Sequence, residues 1–200
     1  MNMLVDLLPT KVTIDGLEYK INCDFRTSIL FELLMQDVEL NNEEKLISAL
    51  DLYYPELPGN INEAMEKMLW FYRCGKDEVD SKNNNKGTSK AANIYSYEYD
   101  DDYIYSAFLY QYNIDLQDTN YLHWWKFKAM FKALKEDNMI VKIMGYRSIE
   151  LSKIKDKEQR KYYKGLKKIY ELPKMSMGAT KELEELNKVL LNGGDLSKVL

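Results

Sequence analysis

The chain has a single histidine, His123, and only two cysteines, Cys23 and Cys74, in 200 residues. One histidine excludes a multi-histidine metal site, and any charge-relay arrangement not built on that residue. Two cysteines are too few for a disulfide framework, and a cytosolic setting keeps both reduced. No apolar run approaches the roughly 20 residues of a membrane span, and the N-terminal MNMLVDLLPT lacks the basic start and long apolar stretch of a signal peptide. The expectation is a cytoplasmic protein without a membrane partner. Gly16, Gly59, Gly75, Gly87, Gly145 and Gly165 are isolated, and none opens a phosphate-binding loop. Asp100, Asp101 and Asp102 point in different directions on a helix and lack the spaced ligands of a calcium loop. The sequence therefore predicts no metal, no cofactor and no enzymatic reaction.

What the chain does have is a globular composition, 46% hydrophobic and 30% charged, enough to bury a core without staples. Its net charge of −4 hides a division. Residues 124–174 carry 15 Lys+Arg against 6 Asp+Glu, and the remainder 13 against 26. Such asymmetry suits either an anionic partner for the basic part or attraction within the fold or between subunits. The second is favoured, which makes a homo-oligomer the expectation and nucleic-acid binding the less favoured one.

Hydrophobic patterning predicts a mainly α fold, a helical bundle with a small N-terminal β-hairpin. KVTIDGLEYKI alternates about Asp15-Gly16, a dipeptide suited to a tight turn. Three helices follow. The first is capped near Asp24, with Ile29 and Leu33 inward and Leu30 and Leu34 as further inward candidates; the second is capped at Asn42. The third runs from about 61 to 74, capped near Asn60, and offers Ala64, Met68, Phe71 and Tyr72 to the core. Residues 76–93 have almost no apolar content and read as a flexible linker. They divide an N-terminal region, 1–75, from an aromatic-rich helical region, 94–200. The latter opens with seven tyrosines in eighteen residues, YSYEYDDDYIYSAFLYQY. A helix from Asp100 would turn Ile104, Phe108, Tyr105 and Leu109 inward. Then come a tryptophan helix, about 119 to 135, a short helix at MIVKIMGYRS, a long basic helix over 154–172 and a last amphipathic one before Gly193-Gly194.

YLHWWKF poses the sharpest question, because successive helical residues point about 100° apart and two indoles cannot share one narrow stripe. Trp124, Phe127, Met130, Phe131 and Leu134 make the ordinary core face. Trp125 points away with Leu122, Ala129 and Ala133. Either the helix is buried on two sides, or Trp125 anchors a partner or subunit. The candidate partner-binding residues are accordingly Trp125, Leu122 and Ala129, with Tyr105, Tyr110 and Tyr112 on the tyrosine-rich helix and Arg147 in MGYRS. On the basic helix Tyr162, Tyr163, Leu166, Ile169 and Tyr170 form one stripe. Lys157, Arg160, Lys161, Lys164, Lys167 and Lys168 form the opposite one, a solvated face rather than a DNA-binding one.

LPTKVTIDGLEYKINCDFR, YPELP, the tyrosine-rich stretch through NIDL, YLHWWKFKAMFKAL and IMGYRSIELSKIKDKEQRKYYKGLKKIYELP together resemble the gene-product-fifteen family of tailed bacteriophages and prophages of low-GC Gram-positive bacteria. The resemblance covers about 8 to 173. It implies a role rather than a reaction. Members are similar in genomic placement to tail-assembly chaperones, encoded just ahead of the tape-measure protein, which hold that long helical protein soluble while tail-tube subunits polymerise around it. The implied partners are the tape-measure protein and, further, tail-tube subunits or a second chaperone. The rival classes are a nucleic-acid-binding module and a structural tail component kept in the virion.

Overall fold

The computed structural model describes residues 2–76 and 94–173; the linker and the last amphipathic helix expected from the sequence lie outside the described residues. The chain is mainly helical with a small antiparallel N-terminal hairpin, as the patterning predicts. Strands β1 (Lys11–Ile14) and β2 (Leu17–Lys20) pair Lys11 with Lys20 and Ile14 with Leu17. Both turn residues have positive φ, 48° at Asp15 and 76° at Gly16, the geometry that matches the strand twist. A lone hairpin is marginal in water. Here its Val12 and Ile14 are buried, and its turn is held by α3 (Ile61–Tyr72): the Asp15 N–H donates to Glu63 Oε2 at 2.8 Å and Asn60 Nδ2 donates to Asp15 Oδ1 at 2.9 Å.

Each of the first three helices starts on a side-chain cap. Asp24 accepts the Arg26 N–H at the head of α1 (Phe25–Gln36). Helix α2 (Asn42–Tyr53) is capped by Asn41, one residue earlier than expected. The reason is reciprocal: Asn41 Oδ1 accepts the Glu44 N–H and Glu44 Oε2 accepts the Asn41 N–H, whereas a cap at Asn42 would put Lys45 in the answering position. Asn60 caps α3, which ends at Tyr72 because Cys74 and Gly75 both turn to positive φ, with the Gly75 N–H donating to Trp70 O.

By contacts the described residues fall into two units, the first taking residues 2–76 with 121–129. Its core is aromatic. Phe31, Tyr53, Phe71, Trp124 and Phe127 are all fully buried, Phe25 stacks on Phe127 at 4.9 Å, and Phe31 meets Tyr53 and Tyr72 edge-on. The inward face of α1 is Phe25, Ser28, Phe31 and Met35 rather than the expected leucines; Leu30 is 51% exposed. Ser28 takes that place because its hydroxyl meets the buried Tyr53 hydroxyl at 2.8 Å.

The second unit holds residues 94–120 and 130–173. It contains α4 (Asp101–Tyr112), the end of α5 (Trp124–Lys132), α6 (Met139–Ser148), a 3-10 turn (Leu151–Lys153) and α7 (Lys157–Ile169). Ile104, Ala107 and Phe108 face inward on α4, while Leu109, expected inside, is 41% exposed. Helix α5 is shorter than the sequence suggests. Before it the chain runs extended against residues 22–25, with the Phe25 N–H donating to Leu122 O and the Trp124 N–H to Cys23 O. Helix α7 begins only after Asp156, whose carboxylate accepts the Gln159 N–H at 2.7 Å.

Candidate functional site: an acidic-rimmed apolar groove

Two of the residues expected at a partner surface lie in the core. Trp125 is 2% exposed and Leu122 8%, so the tryptophan helix is buried on two sides where it meets the first unit. Trp125 Nε1 donates to Phe71 O at 2.7 Å, and its ring meets Trp70 and Phe71. Gly75 permits this: a Cβ there would sit 2.7 Å from the Trp125 ring. The Arg147 side chain is only 9% exposed and spent internally on Asp100. Tyr112 is half-buried and donates to Met130 O, and Tyr105 donates to Asp115 Oδ2. Ala129 and Tyr110 alone of the set are open, the first in the first unit and the second, 77% exposed, in the second.

Neither the histidine nor the cysteines are poised for chemistry. His123 is buried, and its Nδ1 accepts the Trp125 N–H at 3.1 Å, which leaves Nε2–H to donate to Pro9 O at 3.0 Å. That tautomer is the neutral one; protonating Nδ1 would set a charge on the positive end of α5 and break the bond. Desolvation, with a smaller push from Lys126, therefore holds its pKa below the usual 6.5, despite the Pro9 carbonyl. Burial pushes the Cys74 thiol up to about 11 and raises that of Cys23, the opposite of an activated nucleophile. No acidic, His or Cys cluster among the described residues could hold a metal ion.

The histidine has a stability consequence. On acidification the unfolded chain takes up a proton near its ordinary pKa while the fold resists, so stability should fall as pH drops from about 7.5 toward 5.5 and level off below the folded pKa. His123→Asn, which keeps an acceptor for the Trp125 N–H, should remove that slope. Glu32 works oppositely: desolvation raises its pKa, so its protonation favours the fold. Thermal melts of both proteins across this range isolate the histidine, and parallel curves would refute the assignment.

The first unit carries an open surface of a different kind. Helices α1 and α2 leave between them a cleft of about 570 Å³ lined by Leu30, Leu33, Leu34 and Leu52, with Ser48, Asp37 and Asp51. Its floor is apolar and its two charges are of one sign. Neither carboxylate is ion-paired among the described residues. Val38 and Ile47 nearby in sequence are 68% and 54% exposed. Sequence reasoning assigned Leu33 to the core, with Leu30 and Leu34 as further candidates. The missed signal was that ILFELLM surrounds its one glutamate with six apolar residues, more than one buried face can absorb.

The sequence profile described as Bacteriophage Gp15 protein matches residues 4–172. The chain belongs to the bacteriophage Gp15 family. This is not a known family of enzymes. No curated protein and no solved structure matches the chain. The Gp15 match takes in the whole groove and α7. No described helix is long and apolar enough to cross a membrane.

Proposed function

We propose that this Gp15 protein is a non-catalytic tail-assembly chaperone of a phage or prophage, holding the tape-measure protein soluble in the host cytoplasm during tail morphogenesis. The observation that carries the reading is the α1–α2 groove, an apolar trough left open in a protein of a phage family. The lining runs from Leu30 to Asp37 along α1, about 10 Å, room for some two turns of an apolar helix laid between α1 and α2. Recognition of this kind needs shape and exposed apolar area and no reactive group. Tail-tube subunits or a second chaperone are further partners in this scheme.

Co-expression with the neighbouring tape-measure gene, followed by pull-down, tests it. Leu30→Asp places a charge on the floor at a residue already half in water, so the fold should survive. Capture should weaken by about 2 kcal/mol or more, roughly thirtyfold. Undiminished capture by Leu30→Asp, with loss on Tyr110→Ala, would move the binding surface to α4.

A further inference from the structure

We propose that the α1–α2 groove of one copy receives α7 of a second copy, so that chains associate head to tail. None of the thirteen residues of α7 is buried. Its basic face is solvated, as expected, but part of its apolar stripe is open too: Tyr162 is 62% exposed and Ile169 72%, with Leu166 half-buried between them. Tyr163 and Tyr170 are already engaged by Tyr146, at 6.5 and 5.8 Å. What remains is Tyr162, Leu166 and Ile169, spaced i, i+4 and i+7, the pattern by which one helix anchors in the groove of another. The outer two are about 10.5 Å apart along the axis, the same reach as the groove lining from Leu30 to Asp37.

Charge selects this occupant over the others the chain offers. Lys161 and Lys168 flank the anchors on the exposed side, and neither is ion-paired among the described residues. Asp37 and Asp51 line the groove. The exposed apolar run at Met3, Leu4, Val5 and Leu7 carries Asp6, and residues 179–191 carry Glu182, Glu184 and Glu185 against Lys181 and Lys188, whereas α7 carries six Lys+Arg against Glu158. The first two are net acidic, like the groove, and only α7 is basic. The pairing we infer joins two copies of the chain, and sedimentation separates it from a groove filled by the chain's own helix. Groove and helix are different surfaces, so each association leaves one of each free, and growth continues to a ring or a filament.

The inference does not rest on the tape-measure reading but competes with it for the groove, since a seated α7 must leave before another helix can enter; the test uses purified, nuclease-treated full-length protein alone. Sedimentation velocity over a concentration series should show oligomers larger than a dimer. Leu30→Asp should disable the groove and Ile169→Asp the helix, each weakening self-association at least tenfold, with circular dichroism confirming that both remain folded. Mixed in equal amounts, they should form a one-to-one dimer and nothing larger, because the mixture holds one good groove paired with one good helix. A wild type that stays monomeric overturns the proposal. So does a mixture that fails to dimerise, or a single variant that still assembles like the wild type, which would assign assembly to the N-terminal run, the C-terminal residues or another surface. Assembly that nuclease abolishes also overturns it and gives α7 to nucleic acid. Failure of Ile169→Asp, whose groove stays open, to capture the tape-measure protein would sink the chaperone reading alone.

Discussion

Trp124→Ala and Trp125→Ala should each cost roughly 3–5 kcal/mol, the range for emptying a large buried aromatic site. The adjacent indoles lie in one core and answer the same need. Trp124 Nε1 donates to Tyr72 O at 2.8 Å and Trp125 Nε1 to Phe71 O at 2.7 Å, so that two of the last carbonyls of α3 gain a donor from outside the helix. Trp124 also stacks on Tyr72 and Phe127, with Lys128 over its ring. Truncation leaves a cavity and takes one donor from a carbonyl that keeps another, the Cys74 N–H on Phe71 O at 3.0 Å or the Cys74 thiol on Tyr72 O at 3.9 Å. Trp→Phe at either position keeps most of the volume and loses only the donor, so it should cost less, about 1–3 kcal/mol. Urea denaturation followed by circular dichroism measures both. A Trp125→Ala protein as stable as wild type would restore the partner-anchor alternative.

Arg147→Met should cost about 3–5 kcal/mol, the usual consequence of stranding one member of a buried ion pair. Asp100 is 1% exposed, and Arg147 Nη1 and Nη2 donate to its two oxygens at 2.6 and 2.9 Å. The same guanidinium donates to Tyr170 O at 2.6 Å and Ile94 O at 3.1 Å, so one side chain ties together three stretches of the second unit. Lysine cannot reproduce that fork, and Arg147→Lys should recover little of the loss. Removing both charges, as Asp100→Leu with Arg147→Met, should recover much of it. A double variant no more stable than Arg147→Met would show that the arginine acts through its backbone contacts rather than through the carboxylate.

The elements themselves were largely legible. The Asp15-Gly16 turn, the caps at Asp24 and Asn60, and the helix over MIVKIMGYRS follow from local chemistry, and each lies where that chemistry puts it. Errors arose where a tertiary partner decides. Nothing local tells that residues 121–123 run extended against 22–25, which shortens the tryptophan helix. Nothing local tells that carbonyls at the end of α3 take indole donors, which draws Trp125 inside. The groove was hidden for the complementary reason. Leu30 and Leu34 look like core by hydrophobicity, and only the company of Phe31 and Met35, which fill the core, leaves them outside. Arg147 looked like a surface cation because its counter-ion is 47 residues away.

The placement of the aromatic side chains also gives the unlabelled protein two optical reporters. All three tryptophans, Trp70, Trp124 and Trp125, belong to the first contact unit, whereas eleven of the sixteen tyrosines belong to the second. Indole fluorescence excited at the red edge therefore reads the first unit alone, and its emission should shift to longer wavelength as Trp124 and Trp125 meet water. Tyrosine emission and near-ultraviolet dichroism weigh the second. Superimposable transitions by the two signals would mean that the chain melts as one cooperative block; separated transitions would give each unit its own stability from a single sample.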